Sequence, residues 1–151
     1  MIRLYKSGLQ EDRLHLFEAV LSEIGNNAFD HNIGNWREIP GVFFGAETGK
    51  KPLFVIADRG QGVRTTLSRV RPDLTTDADA LRVAFTERIS GRAPERRGNG
   101  LKFVRRVLLN DGLDCWYGSG SAVYEVLGKQ EVWKDADQPV PGCCAILCST
   151  S

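Results

Sequence analysis

The chain has 151 residues, a length that suits one domain built around one core. Apolar residues make up 42% and charged residues 26%, ordinary for a globular protein, and twenty Lys and Arg against nineteen Asp and Glu leave a net charge of +1 that gives no pull toward nucleic acid or membrane. No apolar run nears the roughly 18 residues of a spanning helix, and the opening MIRLYKSGLQEDR lacks the apolar stretch of a secretion signal, so a cytoplasmic protein is expected.

From Gln10 to His31 the residues Leu14, Phe17, Leu21, Ile24 and Ala28 recur at steps of three and four, which predicts a helix with one buried face. Trp36 to Ala46 reads as a first strand, interrupted at Pro40-Gly41. The continuous apolar run LFVIAD predicts a central strand ending in DRGQGV. After a polar stretch, Thr75-Thr76 offers a cap for a helix over TDADALRVAFTERIS, with Leu81, Ala84, Phe85 and Ile89 on one side. GRAPERRGNG reads as a loop, and LKFVRRVLLN as a second strong helix stopped by Asn110-Asp111-Gly112. LDCWYGS and SAVYEVL read as two strands joined by a turn at Gly118–Gly120. KDADQPVP reads as an exposed connection, and PGCCAILCS as the last strand. Without repeats or low-complexity segments, and with its late strands consecutive, the pattern predicts a single domain over residues 1–151, a two-layer α/β sandwich with helices on one face of the sheet.

Cys115, Cys143, Cys144 and Cys148 form no C-x-x-C pair, and two histidines add little, so the spacing favours buried thiols over a zinc site. Trp36, Trp116 and Trp133 read as packing residues. No basic–aromatic alternation marks a nucleic-acid surface.

Three polar segments stand apart from this framework. In LSEIGNNAFDHN, at about 100° per residue, Glu23, Asn27, Asp30 and His31 share a stripe beside the buried face, and Leu16 and Val20 continue that stripe toward the N-terminus. A stripe that starts apolar and turns polar suits the wall of a pocket. Asn27 can offer a neutral oxygen to Mg²⁺, and the carboxylate of Glu23 one turn earlier can hold a water or take a proton. In DRGQGV, Asp58 ends a buried strand where it can accept a hydrogen bond from an exocyclic amine, and Gly60 and Gly62 allow a ring close to the backbone. In RRGNGL, Gly98 and Gly100 stand before a helix whose free N–H groups attract phosphate, within a segment from Glu87 to Arg106 that holds seven basic residues and two acidic ones.

Taken together and in this order, E-x-x-x-N on a helix, strand–D-x-G-x-G, then G-x-G-L opening a helix resembles the GHKL superfamily of ATPases and kinases, which includes DNA gyrase and the sensor histidine kinases. The resemblance spans roughly Leu14 to Val126. SEIGNNAFDH and ERRGNGL are most similar to the anti-sigma-factor serine kinase branch. It implies a Bergerat ATP-binding fold with a mixed, mostly antiparallel sheet, and a cytoplasmic kinase using ATP and Mg²⁺. Glu23 would be the general base or hold the attacking group, and Asn27 would ligate Mg²⁺. Asp30 and His31 would lie near the nucleotide edge, and Asp58 would recognise the adenine amine with Gly60 and Gly62 beneath the base. Gly98, Asn99, Gly100 and Leu101 would offer N–H groups to the phosphates, and Arg96 and Arg97 would reach the terminal phosphate or a partner. The family's third glycine box, G-T followed by a strand, is matched to GSGSAVYEV with Ser121 in place of the threonine.

The implied partner is a small regulatory protein, a sigma factor or an anti-anti-sigma-like protein, with a homodimer left open. Two further functions fit the same residues. One is a nucleotide-gated binding module, in which ATP orders the chain between Gly62 and Gly98. The other is an ATPase with little phosphotransfer.

Overall fold

The computed structural model describes residues 11–32, 41–47, 49, 51–89 and 99–149. Along the chain it comprises α1 (Glu11–Asn32), β1 (Val42–Glu47), β2 (Leu53–Asp58), α2 (Gly62–Ser68), α3 (Asp77–Thr86), α4 (Gly100–Asp111), β3 (Leu113–Leu127) and β4 (Gln130–Ser149). The strands form one sheet in the order β1-β2-β4-β3, and every neighbouring pair is antiparallel. The helices pack on one face, giving a two-layer α/β sandwich whose sheet is antiparallel throughout rather than mixed.

Period explains which side chains enter the core. On α1, Leu14, Phe17, Val20, Ile24 and Ala28 are buried and meet the inward residues of the sheet, with the Phe17 ring edge-on to Phe54 at 5.0 Å. The buried stripe thus includes Val20 and leaves Leu21 only half-buried, a rotation of the expected face toward the polar residues. Along β2 the alternation puts Phe54, Ile56 and Asp58 inward, and β4 answers with Ala145 and Leu147. Helix α3 begins where Thr76 accepts a hydrogen bond from the Asp79 N–H at 3.0 Å, and α4 ends on Gly112 at φ 70, a left-handed position that glycine takes at least cost.

Two features depart from the expected elements. The stretch GVRTTLS forms helix α2, although its polar composition gives little helical periodicity. The expected strands LDCWYGS and SAVYEVL are one hydrogen-bonded strand, β3, and KDADQPVP belongs to β4 rather than to a connection. Even so, β3 is not straight. The Gly128 N–H donates to Asp114 Oδ1 at 2.8 Å, although 14 residues of extended chain would span about 46 Å. Register shifts between Ser119 and Ala122, with Gly120 at φ 59, mark where the hairpin folds back. Tyr117 and Tyr124 therefore both pack on the Phe85 ring, at 5.2 and 4.4 Å, and Trp133 stacks on Tyr124 at 4.3 Å. Arg105 of α4 pins the folded hairpin by donating two hydrogen bonds to Glu131, at 2.8 and 2.7 Å.

Candidate functional site

Between the helical layer and one end of the sheet lies a cavity of about 570 Å³, within the roughly 300–1,000 Å³ of small-molecule sites. The second half of α1 supplies Glu23, Asn26, Asn27, Asp30 and His31 to its wall. Asp58 closes it from the end of β2, Gly62 and Thr66 enter from α2, and Asn99, Gly100 and Leu101 from the start of α4. Apolar surface comes from Val63, Leu67, Ala84, Ile89 and Phe103. Segments far apart in sequence thus converge, as the polar stripe and the two glycine motifs lead one to expect. Asn26 also reaches the wall, exposed at the rim.

At the α4 end the approach is close. A Cβ on Gly100 would stand 2.5 Å from Glu23 Oε2, so the glycine is what lets the carboxylate lie against the helix start. The N-cap residue Asn99 makes no side-chain cap to α4, so the first-turn N–H groups lack that partner, as an anion-binding helix start requires. His31 holds its ring pKa below the ordinary histidine value, chiefly through burial and then through the Arg69 charge, which keeps the imidazole neutral at pH 7.

The other end is built around Asp58, which is only 6% exposed. Its Oδ1 accepts the Gly60 N–H at 2.7 Å. Burial raises its pKa above the usual aspartate value, and the backbone hydrogen bonds from Gly60 and Cys143 pull the other way. Gly60 lies just behind the wall, where a Cβ would stand 3.0 Å from the His31 carbonyl oxygen. Ser119 on β3 organises this end. Its hydroxyl accepts the Val63 N–H at 3.0 Å, capping α2 from another element, and donates to the Gly142 carbonyl at 2.9 Å.

The glycine beside Asp58 is Gly142, at φ 72, and a Cβ there would collide with the Asp58 carbonyl. Cys143 follows it, pairs with Asp58 across β2 and β4, and lines the cavity together with Tyr117. Ser121 does not line the cavity; its N–H and hydroxyl both donate to Asp77 Oδ2, at 2.9 and 3.1 Å. Gly142 and Cys143 lie on β4 at the Asp58 end of the cavity instead. Cys143 carried no motif in the sequence that would mark it as a wall residue.

Arg96, Arg97 and Gly98 lie outside the described residues. So do Trp36 and most of the first half of the expected first strand.

Two side chains of the wall could help hold a divalent cation. Asn27 offers a neutral amide oxygen and Glu23 a carboxylate near the helix start, while no three His, Cys, Asp or Glu side chains among the described residues converge on one metal position. A Mg²⁺ ion here would draw most of its ligands from phosphate and water, as this ion commonly does. Among the described residues no helix is long and apolar enough to cross a membrane. Comparison of the sequence with protein-family models and with curated proteins finds no match.

Proposed function

We propose that this chain binds Mg-ATP in the cavity between α1, β2 and α4 and acts as a cytoplasmic protein kinase that phosphorylates a serine on a small regulatory partner. The observation that carries the reading is the single cavity closed at one end by buried Asp58 and at the other by Glu23 against Gly100. Each end suits a different part of the ligand. A buried carboxylate in apolar walls accepts from the exocyclic amine of adenine, and an uncapped helix start accepts phosphate. Glu23 lies where it can orient a serine hydroxyl or take its proton. Among the described residues the cavity wall holds Glu23, Asp30 and Asp58 but no Lys or Arg, so a polyphosphate there depends on a divalent cation to offset like charge.

The gated-module reading has less support. From Gly62 to Thr86 the chain already forms α2 and α3, with Arg64 Nε 3.1 Å from Asp77 Oδ1 tying them together.

Calorimetry with ATP, ADP and GTP, each with and without Mg²⁺, tests the reading. ATP with Mg²⁺ should bind at least tenfold tighter than GTP, and removing Mg²⁺ should weaken ATP. Equal affinity for ATP and GTP, or no binding of either, would overturn it. Glu23→Gln should then abolish phosphate transfer to the partner while nucleotide affinity stays within a few-fold.

A further inference from the structure

We propose that two copies of this chain pair edge to edge through β1, antiparallel and about a twofold axis at Phe44, so that their sheets become one. β1 and β3 are the end strands of the sheet. Edge strands are ordinarily guarded against such pairing by proline, lysine or a bulge. β3 has its register shifts between Ser119 and Ala122. β1, with the sequence VFFGAE, carries neither proline nor lysine, and its register against β2 is unbroken. It also presents Phe43 at 60% exposure and Phe44 at 47%, on opposite faces of the strand. Phe29, at 62%, belongs to the same side of the molecule. On α1 it falls about 100° from the buried stripe, on the flank away from Glu23 and Asn27, and so toward the β1 edge rather than the cavity. Three open aromatic rings at one edge call for apolar cover on both faces of the strand. Edge pairing supplies it on both.

The phase of the hydrogen bonds fixes the register. The Arg59 N–H donates to the Gly41 carbonyl at 2.8 Å, and these two residues are the next step of the register that pairs Val42 with Asp58. Gly41 is thus turned toward β2, and by the alternation of an antiparallel ladder so are Phe43, Gly45 and Glu47. Val42, Phe44 and Ala46 turn their N–H and C=O groups to the outer edge. A twofold axis that joins two edges into one sheet stands perpendicular to the sheet, so opposed residues share a face. The register with Phe44 opposite Phe44 of the second copy, and Val42 opposite Ala46 of the second copy, satisfies every one of these groups. Phe43 then lies opposite Gly45 of the second copy, where the absence of a side chain leaves room for the ring.

The ends of the strand agree in charge. Glu47, the charged residue of β1, comes opposite Gly41 of the second copy, and Arg59 of that copy is the next residue in the same row. With only a glycine between them, a carboxylate and a guanidinium meet across the seam, and symmetry repeats the pair at the other end. None of these residues lines the cavity, so the pairing stands apart from what the cavity binds.

Sedimentation equilibrium on the full chain reads mass against concentration. The seam is one short strand and its rings, so the dissociation constant is expected at about 10–100 µM, with the mass rising from 16.7 kDa toward twice that value. Ala46→Pro removes an outward N–H and no bond to β2, and it should weaken the dimer at least tenfold while a thermal melt shows a folded chain. Glu47→Arg and Arg59→Glu should each weaken association, and both together in one chain should restore it to within about twofold of the parent. A parent that keeps its monomer mass up to about 500 µM would overturn the proposal, and that measurement needs no variant to fold. A folded Ala46→Pro that dimerises as well as the parent would overturn it too, placing the seam on another surface such as the outer sheet face around Ile146. If the proline variant fails to fold, the charge exchange decides, and a double variant no better than the single ones overturns the pairing.

Discussion

Gly100 is where one missing side chain decides what Glu23 can touch. A Cβ there would press on the free end of the Glu23 carboxylate, a flexible group that can swing aside at small cost to the fold. Alanine is also a better helix former than glycine. Gly100→Ala is therefore expected to leave the melting temperature unchanged or slightly higher while phosphate transfer falls at least tenfold. A radiolabel transfer assay beside a thermal melt separates the two effects. Asp58 offers a second residue-scale test. Burial raises its pKa, so the folded chain favours the protonated carboxyl, whereas the amine of a bound base favours the ionised form. Nucleotide affinity should fall as the pH drops through this raised value, beginning at a higher pH than an ordinary aspartate would cause. Calorimetry from pH 7.5 down to pH 5 should show the slope in the parent and a flat, weak profile in Asp58→Asn.

Among the elements, α2 depends on a residue from another strand. Ser119 Oγ accepts the Val63 N–H inside the core, and Ala at that position would leave the N–H buried without its partner. Such a loss costs about 1–3 kcal/mol. Ser119→Ala should lower the melting temperature by roughly 2–4 °C for each kcal/mol lost. Nucleotide binding should weaken as well, since Gly62, Val63, Thr66 and Leu67 line the cavity. The same helix shows what a sequence can and cannot reveal. The run LFVIAD and the stop at Gly112 were legible because continuous apolar burial and a left-handed glycine are local signals. The polar stripe of α1 was legible because helical geometry alone brings Glu23, Asn27, Asp30 and His31 to one side. Helix α2 was not legible, because its N-terminus is capped by a hydroxyl 56 residues away. Gly142-Cys143 was hidden for a related reason. Twenty-odd residues of hairpin fold back between the two halves of the sheet's last pair, so the glycine that meets Asp58 arrives late in the chain.

Across the whole molecule, the fold-back hairpin and the cavity are anchored by different interactions, so stability and binding should separate. Glu131 accepts two hydrogen bonds from Arg105 and one from the Tyr124 hydroxyl at 3.1 Å, and none of these three residues lines the cavity. The Arg105 hydrogen bonds hold its carboxyl below the ordinary glutamate value, against a smaller opposing effect of burial. For a group lowered on folding, the stabilisation is present above the unfolded value, about 4.3, and is lost as the pH falls through the folded one. Asp58 runs the opposite way, because its folded value is raised and its contribution is greatest under acid conditions. Glu131→Gln should thus lower the urea midpoint at pH 7, by about 1 kcal/mol in stability, and the gap between variant and parent should close below about pH 4. Mg-ATP affinity should stay within twofold. A gap that persists unchanged at pH 3 would mean that Glu131 holds the hairpin through packing rather than charge. An equal loss of nucleotide affinity would mean that the hairpin and the cavity are one cooperative unit.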